Sequence, residues 1–265
     1  MIRLVVTDID GTLLPEGTHT LNPEYFEVIE KLRERGMQFA AASGRHWKSI
    51  DQLFGPVRDK IFYIADNGAY LGTSKRDLFV HTLPRDIAMD IIREARKLDG
   101  VEVAASCANE AYMEIQGRTW KWLQEGYQYS MHLIDDLTKV EDGIIKLALD
   151  CPSHVDQIAA DFREKFGDKV RMAVSGDTWL DIIPLEANKG LAVKELQESL
   201  NIRPEETIAF GDQLNDLEML GRAYYSYAVG NAREEVETAA RFPADRNDRH
   251  GGPKVRQEIR ARPGG

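Results

Sequence analysis

Two carboxylates, Asp8 and Asp10, close the apolar run Leu4-Val5-Val6 and are followed by Gly11 and Thr12. A short β-branched run reads as a buried strand. The carboxyl ends of such strands are where open α/β sheets bind ligands. Side chains at i and i+2 on an extended chain point the same way. Two like charges that close disfavour joint ionisation unless a cation lies between them. Hard divalent cations take oxygen ligands, and Mg2+ combines one or two carboxylates with waters and substrate phosphate. Gly11 permits a close turn whose amides can face an anion. The pattern therefore predicts a cation or phosphoryl site, although a single strand-end Asp would as readily cap a turn.

Three further constellations belong with it. Phe210-Gly211-Asp212-Gln213-Leu214-Asn215-Asp216 follows the apolar strand Thr207 to Phe210. Asp212 falls at the strand end, where a second metal carboxylate would be needed, and Asn215 and Asp216 fall on the first turn of the next helix. Helix capping by Asp212 accounts for part of the same pattern. Ser43-Gly44-Arg45 also follows a strand, and a hydroxyl, amides and a guanidinium there can hold a phosphate. Ser-Gly is equally an ordinary turn. Lys189 opens a helix after Asn188, a compact positive charge suited to balancing a carboxylate and a phosphate. It stands against the helix macrodipole, a small cost that suggests a purpose.

The elements that must carry these residues alternate. The sequence predicts a helix over 22–35, a strand over 37–42, a helix over 47–53, a strand over 61–65 and a turn at Asp66-Asn67-Gly68. That rhythm implies a mostly parallel sheet with right-handed crossovers. The middle reads differently: helix 86–98, strands 101–106 and 111–115, helix 119–128, strand 144–149, helix 153–166, and strands 170–174 and 179–183. Helix-strand-strand near both ends suggests an α+β module with a weak internal repeat. The α/β rhythm then returns with helix 190–200, strand 207–210, helix 214–220, strand 224–229, and helices 232–240 and 254–260. The expected fold is a Rossmann-like, mostly parallel three-layer α/β core, residues 1–83 and 184–265, split by an inserted α+β module, 84–183. No Pro/Gly/Ser-rich linker marks the joints.

Composition narrows the function classes. At 265 residues with 43% hydrophobic and 29% charged content, a packed core is expected in place of disorder. A formal net charge of −10 argues against a nucleic-acid partner. It leaves a phosphate ligand open, because local charge can oppose the global sign. Cys107 and Cys151 lie far apart without CxxC spacing, so neither a zinc site nor a redox pair is indicated. The chain starts directly with a strand, leaving no room for a signal peptide. No apolar stretch reaches the roughly 18–20 residues that span a bilayer. The expectation is a soluble cytoplasmic protein without a membrane partner; its oligomeric state is left open.

In order and placement, DIDGTLL, ASGR, Lys189 and GDQLND resemble the four motifs of the haloacid dehalogenase superfamily of phosphohydrolases. The long α/β insertion resembles the type II cap of its Cof-like sugar-phosphatase branch. Asp66-Asn67-Gly68-Ala69 and Val229-Gly230-Asn231-Ala232 are further matches, and Asn247-Asp248 with Gly251-Gly252 is a looser one. The resemblance implies a Mg2+-dependent phosphatase of a small phosphorylated metabolite, such as a sugar phosphate. Asp8 would be the nucleophile, forming an aspartyl-phosphate, and Asp10 the general acid and then base. Mg2+ would meet Asp8, the backbone carbonyl of Asp10, Asp212 and, directly or through an intermediary, Asp216. Ser43 and Lys189, with amides near Ile9, Gly11, Gly44 and Asn215, would hold the phosphoryl oxygens, and Arg45 would meet those oxygens, the leaving group or the cap.

Within the insertion, Arg118, Trp120, Lys121 and Trp122 form a basic-aromatic cluster that could touch a leaving group. Ordinary helix packing with snorkelling side chains accounts for it somewhat better. His46, His81, His132 and His154 are expected at the solvated surface. Two other functions compete: a phosphomutase or phosphotransferase of the same superfamily, and a phospho-ligand sensor or receiver without turnover. Phosphomannomutases, which this architecture also resembles, carry extra residues between the two pairs of the fourth motif, and by that resemblance the compact Gly211-Asp212 and Asn215-Asp216 spacing favours hydrolysis over the first. Asp10 and the large insertion disfavour the second.

Overall fold

The computed structural model describes residues 1–15, 18, 20–127, 131–175 and 177–244. The expected helix 254–260, the Asn247-Asp248 and Gly251-Gly252 match, and Gln128 lie outside the described residues. In chain order the elements are β1 (Leu4–Asp8), α1 (Glu24–Glu34), β2 (Gln38–Ala42), α2 (Trp47–Leu53), β3 (Phe62–Ala65), β4 (Tyr70–Thr73) and β5 (Arg76–Val80). Then follow α3 (Arg85–Ala95), β6 (Glu102–Cys107), β7 (Ala111–Met113), α4 (Arg118–Tyr127), β8 (Met131–Leu133), β9 (Ile144–Asp150), α5 (Val155–Phe166), β10 (Val170–Ser175) and β11 (Trp179–Pro184). The chain closes with α6 (Lys189–Leu200), β12 (Thr207–Gly211), α7 (Leu217–Leu220), β13 (Tyr225–Ala228), α8 (Glu234–Ala239) and β14 (Phe242–Pro243).

The chain divides into two compact units, Met1–Phe79 with the segment from Asn188 onward, and Val80–Ala187. The sequence reading set the crossings near Leu83 and Pro184.

In the first unit an eight-stranded sheet runs β14-β13-β12-β1-β2-β3-β4-β5. It is parallel from β14 to β3, and β4 runs antiparallel to β3. Leu4, Val6, Ala40, Ala42, Ile64 and Ala209 pack one face against Ala192, Val193 and Leu196 of α6, Leu220 of α7 and Val236 of α8. The alternate residues Val5, Phe39 and Tyr63 are buried too, as a sheet covered on both faces requires, and α1 and α2 contact β2 and β3. This is the expected three-layer α/β core. The β4–β5 hairpin was not anticipated; its strands are short, and β5 is mostly exposed. The expected helix over 214–220 is a 3-10 turn, Leu214–Asp216, that runs into the single turn of α7.

In the second unit a six-stranded sheet runs β10-β11-β9-β6-β7-β8. It is antiparallel except for the parallel pair β7–β8. Ile91, Ile92 and Ala95 of α3 and Phe162 and Phe166 of α5 pack with Ala105, Leu147 and Leu149 on one face. Trp120 of α4 packs on Ala104, Met113 and Ala148 of the other, the period-2 alternation of a sheet buried on both sides. Among the described residues no helix is long and apolar enough to cross a membrane.

Candidate active site

β1 and β12 lie side by side, with Thr7 level with Phe210, so Asp8 and Asp212 leave the sheet together at its carboxyl edge. The chain after β1 turns at once. The Ile9 carbonyl accepts from the amides of Leu13 (2.9 Å) and Leu14 (2.8 Å), and the Gly11 amide donates to the Leu14 carbonyl (2.9 Å). Gly11 has φ +88°, and a Cβ there would collide with the Asp212 carboxylate. Only glycine combines that left-handed backbone with so close an approach. Thr12 Oγ1 donates to Asp212 Oδ1 (2.8 Å) and Gln213 Nε2 to Oδ2 (3.0 Å). Asp216 reaches back, its Oδ2 accepting from the amides of Asp212 (2.9 Å) and Gln213 (3.0 Å).

α6 supplies the cation. Asn188 caps it, accepting from the Leu191 amide at 2.8 Å. Gly68 (φ +93°) lies so close that a Cβ would collide with the Asn188 carbonyl. Lys189 is buried, with Nζ 2.5 Å from Asp8 Oδ1 and 2.7 Å from Asp216 Oδ1. Burial alone would lower its pKa; Asp216 and Asp8 more than reverse that and hold the ammonium well above the ordinary lysine range. Burial raises the pKa of Asp8, Asp216 and Asp212 raise it further, and Lys189 pulls the other way without overcoming them. Asp212 is likewise raised, by burial first.

One oxygen each of Asp8, Asp212 and Asp216 lies within 4.8 Å of the others. Asp8 Oδ2 is buried and takes no hydrogen bond among the described residues. Three buried carboxylates against one ammonium leave negative charge in excess, and the donors are all oxygen. That set fits a hard divalent cation of the Mg2+ type.

The Asp10 side chain stands apart from this trio. It is 49% exposed and gripped by Arg45, with Nη2 2.6 Å from Oδ1 and Nε 2.9 Å from Oδ2. Ser43 Oγ donates to Asp10 Oδ2 (3.2 Å) and accepts from the Arg45 amide (3.1 Å). The 66–68 turn supports this loop. Asp66 and Asn67 both have left-handed backbone, and their amides donate to the carbonyls of Arg45 (2.9 Å) and Ser43 (3.0 Å). Asn215 Nδ2 donates to Asn67 Oδ1 (2.9 Å), and Gly44 faces the same Asn67 amide group. The Ile9 side chain is fully buried, so only its backbone is available.

Thr12, Asn67 and Asn231 build this site and carried no role in the sequence reading. Their one signal is position, since each stands beside a glycine near a strand end. One surface expectation changes, and the basic-aromatic cluster of the insertion finds its partners. His46 is buried; its Nδ1 caps α2 through the Lys48 amide and its ring stacks on Trp47. Arg118 joins Glu102 and Asp150 in an ion cluster inside its own unit, with Asp150 2.6 Å away. Trp122 is 47% exposed and pairs with the Trp179 ring at 5.1 Å.

Comparison with known proteins agrees along nearly the whole chain. It is 28% identical to the 5-amino-6-(5-phospho-D-ribitylamino)uracil phosphatase of Escherichia coli K12, over 94% of this chain and 93% of that protein. It is 26% identical to an HMP-PP phosphatase of Escherichia coli O157:H7, over 89% and 87%. A crystal structure from Eubacterium rectale superposes with a TM-score of 0.90 at 32% identity, covering 97% of this chain and 99% of that one. Residues 5–254 match the haloacid dehalogenase-like hydrolases, and the chain belongs to that family.

Proposed function

We propose that the protein is a Mg2+-dependent phosphatase that hydrolyses a small phosphorylated metabolite through an aspartyl-phosphate on Asp8. The observation that carries this reading is the Asp8 carboxylate. It is buried, held through one oxygen by Lys189, beside two more carboxylates. Asp8 attacks phosphorus, the bond to the leaving alcohol breaks, and Asp10 gives that alcohol its proton. Asp10 then takes a proton from the water that attacks the aspartyl-phosphate, which releases phosphate and restores Asp8. To move a proton Asp10 must leave the Arg45 fork, and its exposure allows that. Ser43, the third N–H of Lys189, Asn215 and the amides of Ile9 and Gly44 receive the phosphoryl oxygens, while the Gly11 amide is taken by the Leu14 carbonyl and shapes the turn.

Asp8, Asp212 and the Asp10 carbonyl would hold Mg2+, which when bound neutralises charge on the transferring group. Asp216 accepts from Lys189 and from two amides, so besides standing third in the acid trio it orients Lys189 and the Asp212 turn. The phosphorylated small molecules named for the relatives support a metabolite substrate. The inserted unit serves as the cap that selects the leaving group, and neither nucleic acid nor membrane is a partner. Asp8→Asn abolishes phosphate release from p-nitrophenyl phosphate while circular dichroism stays that of wild type. Chelation abolishes wild-type turnover and added Mg2+ restores it. Normal turnover by the variant removes the nucleophile; full activity after chelation removes the metal.

A further inference from the structure

Asn231 lies in the turn between β13 and α8, closed by the Ala232 amide on the Val229 carbonyl (2.8 Å). This turn is stitched to both sides of the Asp212 backbone. The Val229 amide donates to the Gly211 carbonyl (3.3 Å) and the Arg233 amide to the Asp212 carbonyl (3.0 Å). Asn231 then crosses to the other acid-bearing turn, with Nδ2 donating to the Gly11 carbonyl at 2.8 Å. A carbonyl accepts only from a donor, so this contact fixes which way the amide points. Its Oδ1 is buried and accepts no hydrogen bond among the described residues. Leaving a buried acceptor in that state is costly, so a donor belongs beside it. Gly11, which Asn231 holds, is the residue in contact with the Asp212 carboxylate.

We propose that Asn231 is a positioning residue for the divalent cation. Its Nδ2 pins the Gly11 turn against Asp212, and its Oδ1 accepts from a water that the cation carries. The inference rests on the reading above that Asp8 and Asp212 hold Mg2+. It accounts for both ends of the amide together: one end fixes the backbone that follows Asp10, and the other accepts the hydrogen bond that a cation-bound water must place somewhere. Partners that orient a metal site in this way typically change its affinity about 10–100-fold when removed.

The test is isothermal titration calorimetry of MgCl2 into metal-free, full-length wild type, Asn231→Ala and Asn231→Ser. Thermal melts of the same metal-free samples and KM for p-nitrophenyl phosphate at saturating Mg2+ accompany it. Serine keeps a polar group in the turn but is too short to reach the Gly11 carbonyl. The expected result is a Kd for Mg2+ weakened about 10–100-fold in both variants, with metal-free melting temperature near that of wild type and any rise in KM at saturating Mg2+ smaller than the rise in Kd. Unchanged Kd in the variants, with wild type binding Mg2+, overturns the role of Asn231 and leaves the metal reading standing. No Mg2+ binding by wild type overturns both. Loss of the metal-free fold in both variants makes Asn231 a folding residue and also overturns the inference.

Discussion

A carboxylate held in a buried site without its cation works against the folded state, and Asp212 illustrates the sign. Burial raises its pKa in the fold, so between the unfolded value, about 3.9, and the folded one the native protein holds the extra proton. Stability of the metal-free protein therefore falls as pH rises through that window, and Asp8 acts in the same direction. Asp212→Asn should make the metal-free protein more resistant to urea at pH 7, with the advantage vanishing below about pH 4, and should abolish Mg2+ binding. Equal urea midpoints at pH 7 would contradict this. At this scale the acids were legible because each ends an apolar strand run. Asn231 and Thr12 were not, because one amide or hydroxyl in a turn looks the same whether it bonds water or a chain segment 200 or more residues away.

Among the elements, the turns after β1 and β12 carry more of the site than the helices do. Gly11 is the tightest point, with left-handed backbone and a carboxylate where its Cβ would be. Gly11→Ala costs roughly 1–2 kcal/mol from the backbone alone and displaces Asp212. Mg2+ affinity should fall by more than that stability loss explains; calorimetry beside urea titration measures both. Strand and helix periodicity located the described α-helices and ten of the fourteen described strands, missing β4, β5, β8 and β14, since buried apolar runs and amphipathic helices announce themselves locally. The β4–β5 hairpin escaped because its two short strands include Gly72, Thr73, Arg76 and Asp77, and pairing of β4 with β3 and of β5 with β4, not composition, makes them strands. His46 escaped because a histidine that caps a helix through Nδ1 and stacks on its neighbour has no signature distinct from a surface one.

For the molecule as a whole, the unit Val80–Ala187 has its own apolar core built from α3, α5 and one sheet face. It should fold when expressed as residues 80–187 alone. Both cysteines lie in it, buried. Burial, with Asp142 adding to it, pushes the Cys107 thiol up to about 12, and burial, with Asp150 adding to it, pushes Cys151 up to about 11. Neither thiol should react with Ellman's reagent at pH 8 until denaturant is added, in the full chain or in the fragment; rapid labelling of the native fragment would show that its core had not formed. The central sheet behaves oppositely. β1 is made first, yet one of its two neighbours is β12, whose Thr207 pairs with Leu4. A nascent chain on the ribosome therefore carries Asp8 for some 200 residues of synthesis with one flank of that strand bare. The insertion can settle long before the hydrolytic centre exists. An early-terminated translation product is thereby inert as an enzyme and exposes a strand edge for chaperones to recognise.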